Sequence, residues 1–191
     1  KGGITAGVVI LPRLADSAAV QQWLPTVKGK FVMISQPQPT GRPDKNWEEF
    51  ATKESFDSLK SLRERIRADW EARIAATGFK SDTLACILEN AGAAGILSST
   101  WASGWGANRV FGTKGKKSPA VDLSLEDYNL VYRLAENGGA PVLRIEAESK
   151  FLGPQPAFNT IGTIRGSALP DEYVILSAHF DSWREVFRHA W

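Results

Sequence analysis

The chain has 191 residues, 43% hydrophobic and 23% charged. That is a globular composition with enough length to bury a core, and it excludes a disordered chain. Lys+Arg 23 against Asp+Glu 21 leave a net charge of +2, which excludes a strongly electrostatic partner such as duplex nucleic acid as the default reading. The single cysteine, Cys86, excludes an intrachain disulfide and a cysteine-based zinc cluster, and no run of about 18 apolar residues offers a membrane span.

Residues 5–11 (TAGVVIL) predict a buried strand ending at Pro12. Asp16 and Ser17 start a short helix expected to run through Leu24 and to be closed by Pro25. Residues 30–35 (KFVMIS) predict a second strand, and the proline-rich stretch 36–44 a loop. Phe56, Leu59, Leu62, Ile66, Trp70 and Ile74 recur at steps of three and four, so the spacing predicts a helix over 56–77 with one apolar stripe. Ile66 and Trp70 are expected to be buried, Arg63 and Arg67 exposed, and Gly78 to end the helix in a left-handed conformation.

Ser81 and Asp82 open another helix, with Leu84, Ile87, Leu88 and Ala91 on one face and Cys86 read as a small hydrophobe. Residues 94–98 follow as a buried strand, and this helix–glycine–strand unit implies an α/β layer. Residues 101–118 predict a long loop and 119–122 a short extended piece. Ser124 with Asp127 resembles a capping box, with Leu123 and Tyr128 as its staple, for a helix stopped by Gly138-Gly139. Residues 141–147 alternate as a strand does. Gly153-Pro154-Gln155-Pro156 marks a domain boundary, after which two strands, 158–165 and 173–178, are expected on either side of a turn at 166–171.

The glycines of the long loop meet neither phosphate-binding fingerprint: Arg109 stands where Gly104-Trp105-Gly106 would need its third glycine, and Val110 where Gly115-Lys116 would need one. The basic cluster Arg109, Lys114, Lys116 and Lys117 reads as a solvated face. Trp101 and Trp105 are open to two readings. Their rings either stack on a sugar or line a substrate entrance, or fold back onto the core. The chain has two histidines, His179 and His189. His179 follows the apolar run 173–178, the strand end at which α/β enzymes place ligands, and Asp181 is near enough to orient its imidazole.

Residues 159–183 (NTIGTIRGSALPDEYVILSAHFDSW) resemble the start of the catalytic domain of co-catalytic zinc aminopeptidases and their carboxypeptidase Q-like relatives. The signature of that family runs from an N-x-I strand, through a turn with proline, into a hydrophobic strand ending in A-H-x-D-S, here Ala178-His179-Phe180-Asp181-Ser182. The region before it resembles a protease-associated domain, through residues 27–34 (VKGKFVMI), 90–97 (NAGAAGIL) and the helix and strand after Pro119-Ala120-Val121. The resemblance implies an α/β (α+β) fold: a protease-associated domain over 1–152, its β-sheet core flanked by helices and with 36–80 as a helical insertion. It further implies a truncated N-terminal segment of a zinc peptidase domain over 157–191, contributing a C-terminal β-hairpin.

By the same resemblance the full-length parent uses zinc, with His179 as a metal ligand and Asp181 behind it, acts on peptides and works outside the cytoplasm, in the periplasm or secreted. Residues 184–191 depart from the family pattern. They supply one carboxylate after Asp181, Glu185, where the family needs a bridging Asp, a general-base Glu and a second histidine, and nothing positions His189. The chain, which opens at Lys1 and is read as a mature form or a fragment, is therefore expected to be inactive alone and to hold no zinc stably. Its expected role is that of an accessory module shaping the catalytic cleft, with helix 56–77 and loop 101–117 (Trp101 and Trp105 included) facing substrate. The expected partners are the remainder of the catalytic domain and a second copy bound through residues 158–178; no nucleic acid and no membrane span are expected. The alternative is a free-standing peptide- or carbohydrate-binding module.

Overall fold

The computed structural model describes residues 2–109, 115, 117–148, 150, 152–156 and 158–178. The chain divides into two compact units, Lys1–Ala147 and Glu148–Trp191. In the first, the described elements run β1 (Ile4–Ile10), α1 (Ser17–Trp23), β2 (Phe31–Met33), α2 (Asp44–Phe50), α3 (Lys53–Ala76), α4 (Ser81–Asn90), β3 (Gly95–Ser98), β4 (Ala120–Asp122), α5 (Leu125–Glu136) and β5 (Val142–Ile145). The strands form one sheet in the order β4-β3-β2-β1-β5. β1 to β4 are parallel neighbours, and β5 lies antiparallel along β1, with Ile4 opposite Ile145. The fold is α/β with a mixed sheet.

Local chemistry sets the element ends. The Asp16 carboxylate accepts from the Ala19 N–H at 2.9 Å and caps α1. The chain then continues as a 3-10 turn over Leu24–Val27 instead of stopping at Pro25, because a proline near the start of a helical turn lacks only an N–H that would have no partner there. Thr52 caps α3 and Ser124 caps α5, each accepting from the N–H three residues on. Gly78 ends α3 at φ +71°, a conformation that glycine adopts without strain. Gly95 is required for a different reason: a Cβ there would sit 2.7 Å from the Pro119 carbonyl oxygen and 2.9 Å from the Phe31 ring.

Phe31, Val32 and Met33 of β2 and every residue of β3 are buried. Successive strand residues face opposite sides, so the sheet is covered on both faces. Leu84 and Leu88 of α4, Trp70 of α3 and Tyr128, Val131 and Tyr132 of α5 join the same core.

Three sequence expectations need correction. The stretch 36–44 does not stay a loop to its end, since α2 begins at Asp44 directly after Pro43. Its two aromatic residues give no periodic stripe, and it is held instead by Trp47 stacking on Phe56 at 6.5 Å. On α3, Trp70 is buried and Arg67 exposed, but Ile66 is only half-buried. Arg63 reverses the expectation, with a side chain only 16% exposed, because Asp44 pairs with it. Finally, residues 158–165 and 173–178 form no ladder. The turn between them is present, with the Glu172 N–H on the Leu169 carbonyl at 3.2 Å, but the described flanks are unpaired. An isolated two-stranded hairpin is marginal in water, and here the side chains that would pay for ordering it are exposed. No helix among the described residues is long and apolar enough to cross a membrane.

Candidate functional site

The carboxyl ends of β2, β3 and β4 are joined by one polar network. The Tyr128 hydroxyl donates to the Ser35 carbonyl at 2.6 Å and accepts from the Ser35 N–H at 2.9 Å. Burial pushes that phenol well above its ordinary titration range, so it stays neutral and keeps both bonds. Ser35 Oγ accepts from the Ser99 N–H at 3.1 Å. Asp122, the last residue of β4, accepts from Ser98 Oγ and Thr100 Oγ1 at 3.1 Å each, from the Thr100 N–H at 3.3 Å and from Asn108 Nδ2 at 2.5 Å. Four donors converge on the carboxylate, so Asp122 fastens the loop. Ser98, 5% exposed, is closed to a substrate.

The loop so fastened carries both candidate tryptophans. Trp101 is half-buried; its indole N–H donates to the Gly104 carbonyl at 2.6 Å, and the Arg63 guanidinium lies 4.9 Å from its ring centroid. Arg63 also reaches Asp44 and the Arg42 carbonyl, and Arg42 in turn lies 5.0 Å over Trp47. A row of indole, two guanidinium groups and a second indole therefore ties the loop to α2 and α3. Trp105 stands apart from that row and is 55% exposed. The loop offers one open aromatic face, which suits stacking.

His179 and Asp181 lie outside the described residues, as do Lys114 and Lys116. Among the described residues no group of three His, Cys, Asp or Glu side chains is gathered as a metal ion would require. Cys86 is half-buried with a free thiol. Sequence reasoning missed Asp122, Asn108 and Arg63. Asp122 left one readable signal, a carboxylate closing a short apolar strand. Arg63 left none, since its partners come from other elements.

No family model matches the chain, and no solved structure matches it significantly. Among curated proteins it is similar to carboxypeptidase Q of Mus musculus, 26% identical over 182 residues, which cover 95% of this chain and 32% of that protein. It is 34% identical to carboxypeptidase Q of Rattus norvegicus and 33% to that of Homo sapiens, each over 67 residues and 14% of the relative. The chain thus spans about a third of the length of the mouse relative.

Proposed function

We propose that residues 1–152 form a non-catalytic accessory unit of a zinc-dependent exopeptidase and that residues 157–191 belong to the start of its catalytic domain. The observation that carries this reading is the similarity to carboxypeptidase Q along 95% of the chain. The pinned loop 99–109 supports a cleft-shaping role, because a fixed backbone presenting Trp105 can bound a substrate channel without taking part in the reaction. His179 would be the chain's ligand to the zinc, oriented by Asp181. Zinc of this kind supplies an activated water for attack on a peptide carbonyl. The parent would act on peptides outside the cytoplasm. The exposed apolar side chains between Phe158 and Leu176 would be covered there by the rest of the catalytic domain, and by a second copy when the chain is alone.

The test is a dipeptide panel with added zinc. It would be run on the 191-residue chain, on a form extended C-terminally through a full catalytic domain, and on each with His179→Ala. The extended form is expected to turn over and to lose activity with His179→Ala, while the 191-residue chain stays inactive. Zinc-dependent turnover by the 191-residue chain that disappears with His179→Ala would overturn the accessory reading.

A further inference from the structure

A groove of about 530 Å³ opens between α3 and α5, at the turns that follow β1 and β2. Open α/β sheets place ligands outside the carboxyl ends of their strands, and the volume is within the usual range for binding pockets. Its floor is aromatic: Trp70 and Tyr132, 7% and 3% exposed, meet edge to face with centroids 6.4 Å apart. Beside them the apolar stripe of α3 comes to the surface, with Ile66 half-buried and Leu62 37% exposed. Phe56 and Leu59 before them and Trp70 after them on the same stripe are buried, so between these residues the stripe surfaces along the groove.

One wall is held rigid. The Asn129 side chain accepts from the Gln38 N–H at 3.1 Å and donates to the Gln38 carbonyl at 2.7 Å, clamping the Pro37-Gln38-Pro39 segment to α5. Such a wall loses little freedom when a ligand arrives.

The rim is unbalanced in charge. Asp69 is already engaged by Arg13 and by Arg73, and Arg73 also donates to the Leu11 carbonyl at 3.1 Å. Arg65 and Arg133 have no carboxylate within 4.0 Å among the described residues, although both line the groove. Glu136 is the one other acid on the lining. Four arginines face two carboxylates, and two of the guanidinium forks are uncommitted.

We propose that this groove binds a short acidic peptide segment. An apolar side chain of the segment would rest on Ile66, Trp70 and Tyr132, and carboxylates on either side of it would be taken by Arg65 and Arg133. Guanidinium forks match carboxylates two bonds at a time, and the apolar floor fits a hydrophobic side chain. A polyphosphate chain would gain nothing from Leu62 and Ile66 and would meet a protein of net charge only +2. The inference stands on the first unit alone and does not depend on the peptidase reading.

The test is fluorescence anisotropy of a labelled acetyl-Asp-Glu-Phe-Glu-Asp-amide added to the full 191-residue chain. Both peptide ends are blocked, so an exopeptidase site cannot account for the signal. Saturable micromolar binding is expected, weakening as salt rises. The Arg65→Glu, Arg133→Glu double variant, on two exposed positions, is expected to melt at the wild-type temperature and to bind at least about tenfold more weakly. Replacing the central phenylalanine of the peptide by serine is expected to weaken binding as well. No saturable binding, equal binding by the double variant, or equal binding of a lysine-for-acid peptide would each overturn the proposal. Displacement of the peptide by a single-stranded oligonucleotide at a lower concentration than by unlabelled peptide would also overturn it, in favour of a nucleic-acid surface.

Discussion

Val8, Val32 and Ile96 in the sheet and Ile164, Val174 and Leu176 in the second unit are β-favouring or large apolar residues in stretches of similar pattern. The first three are 7%, 0% and 1% exposed; the other three are 99%, 95% and 94% exposed. Local sequence is not the difference. β1, β2 and β3 each have hydrogen-bonded neighbours on both sides and helices over their side chains, whereas 158–165 and 173–178 have no ladder partner. The edge strand β5 shows the intermediate case: paired along one side only, it has exposed and half-buried residues in strict alternation. An apolar run makes extended backbone acceptable; a partner makes it a strand.

The comparison can be broken at its strong end first. Trp70→Ala removes the largest ring from the α3 contact with the core and is expected to cost about 3–5 kcal/mol in urea unfolding. A cost below about 1 kcal/mol would mean that the core does not depend on α3. Tyr128→Phe keeps the ring and removes the hydroxyl that serves both backbone groups of Ser35. It is expected to cost about 1–3 kcal/mol by the same measurement, because the Ser35 N–H is left without its acceptor. Ile164→Ala, by contrast, is expected to stay within about 0.5 kcal/mol of wild type.

A smaller effect lies on the rim of the α3–α5 groove. The hydrogen bond from Arg13, with the nearby charge of Arg73, holds the Asp69 carboxyl below its ordinary range. A carboxylate favoured in the folded state adds stability that is complete above the ordinary carboxylate range and is lost as pH falls through the lowered value. Melting curves from neutral pH down to about 3 are therefore expected to show a steeper acid decline for wild type than for Asp69→Asn. The difference at neutral pH should be under about 1 kcal/mol, since the pair is open to solvent. The smallest effect belongs to the second unit: truncation after Leu152 is expected to leave the melting temperature unchanged and, in sedimentation, to give a monomer. Unfolding of the truncated chain would show that the tail is integral to the first unit.

What could be read in advance follows the same division. The α5 cap at Ser124 with Asp127, the stop at Gly78, the capping role of Asp16 and the buried strands β2 and β3 were legible because each depends on residues a few positions apart. The arginine–tryptophan row was not, because Arg63 meets Asp44 and Trp101 across 19 residues in one direction and 38 in the other. On a helical wheel Arg63 belongs to the wet face, and only the arrival of α2 and the loop after β3 covers that one side chain. The groove escaped notice for the converse reason. Leu62 and Ile66 read as core in a stripe, and nothing in their spacing says that the stripe is less covered at these two positions. In the second unit the apolar runs 158–165 and 173–178 carry a strand pattern, yet among the described residues only the turn between them forms.

The pairing of β1 with β5 sets Ile4 directly across from Ile145. The backbone thus enters and leaves the first unit through one gap, and strands paired in this way stand only about 5 Å apart. A host protein could therefore carry the whole unit on a two-stranded stem, opening one surface turn and leaving its own core as it was. Grafted in this way, the unit would bring its α3–α5 groove and its tryptophan loop with it.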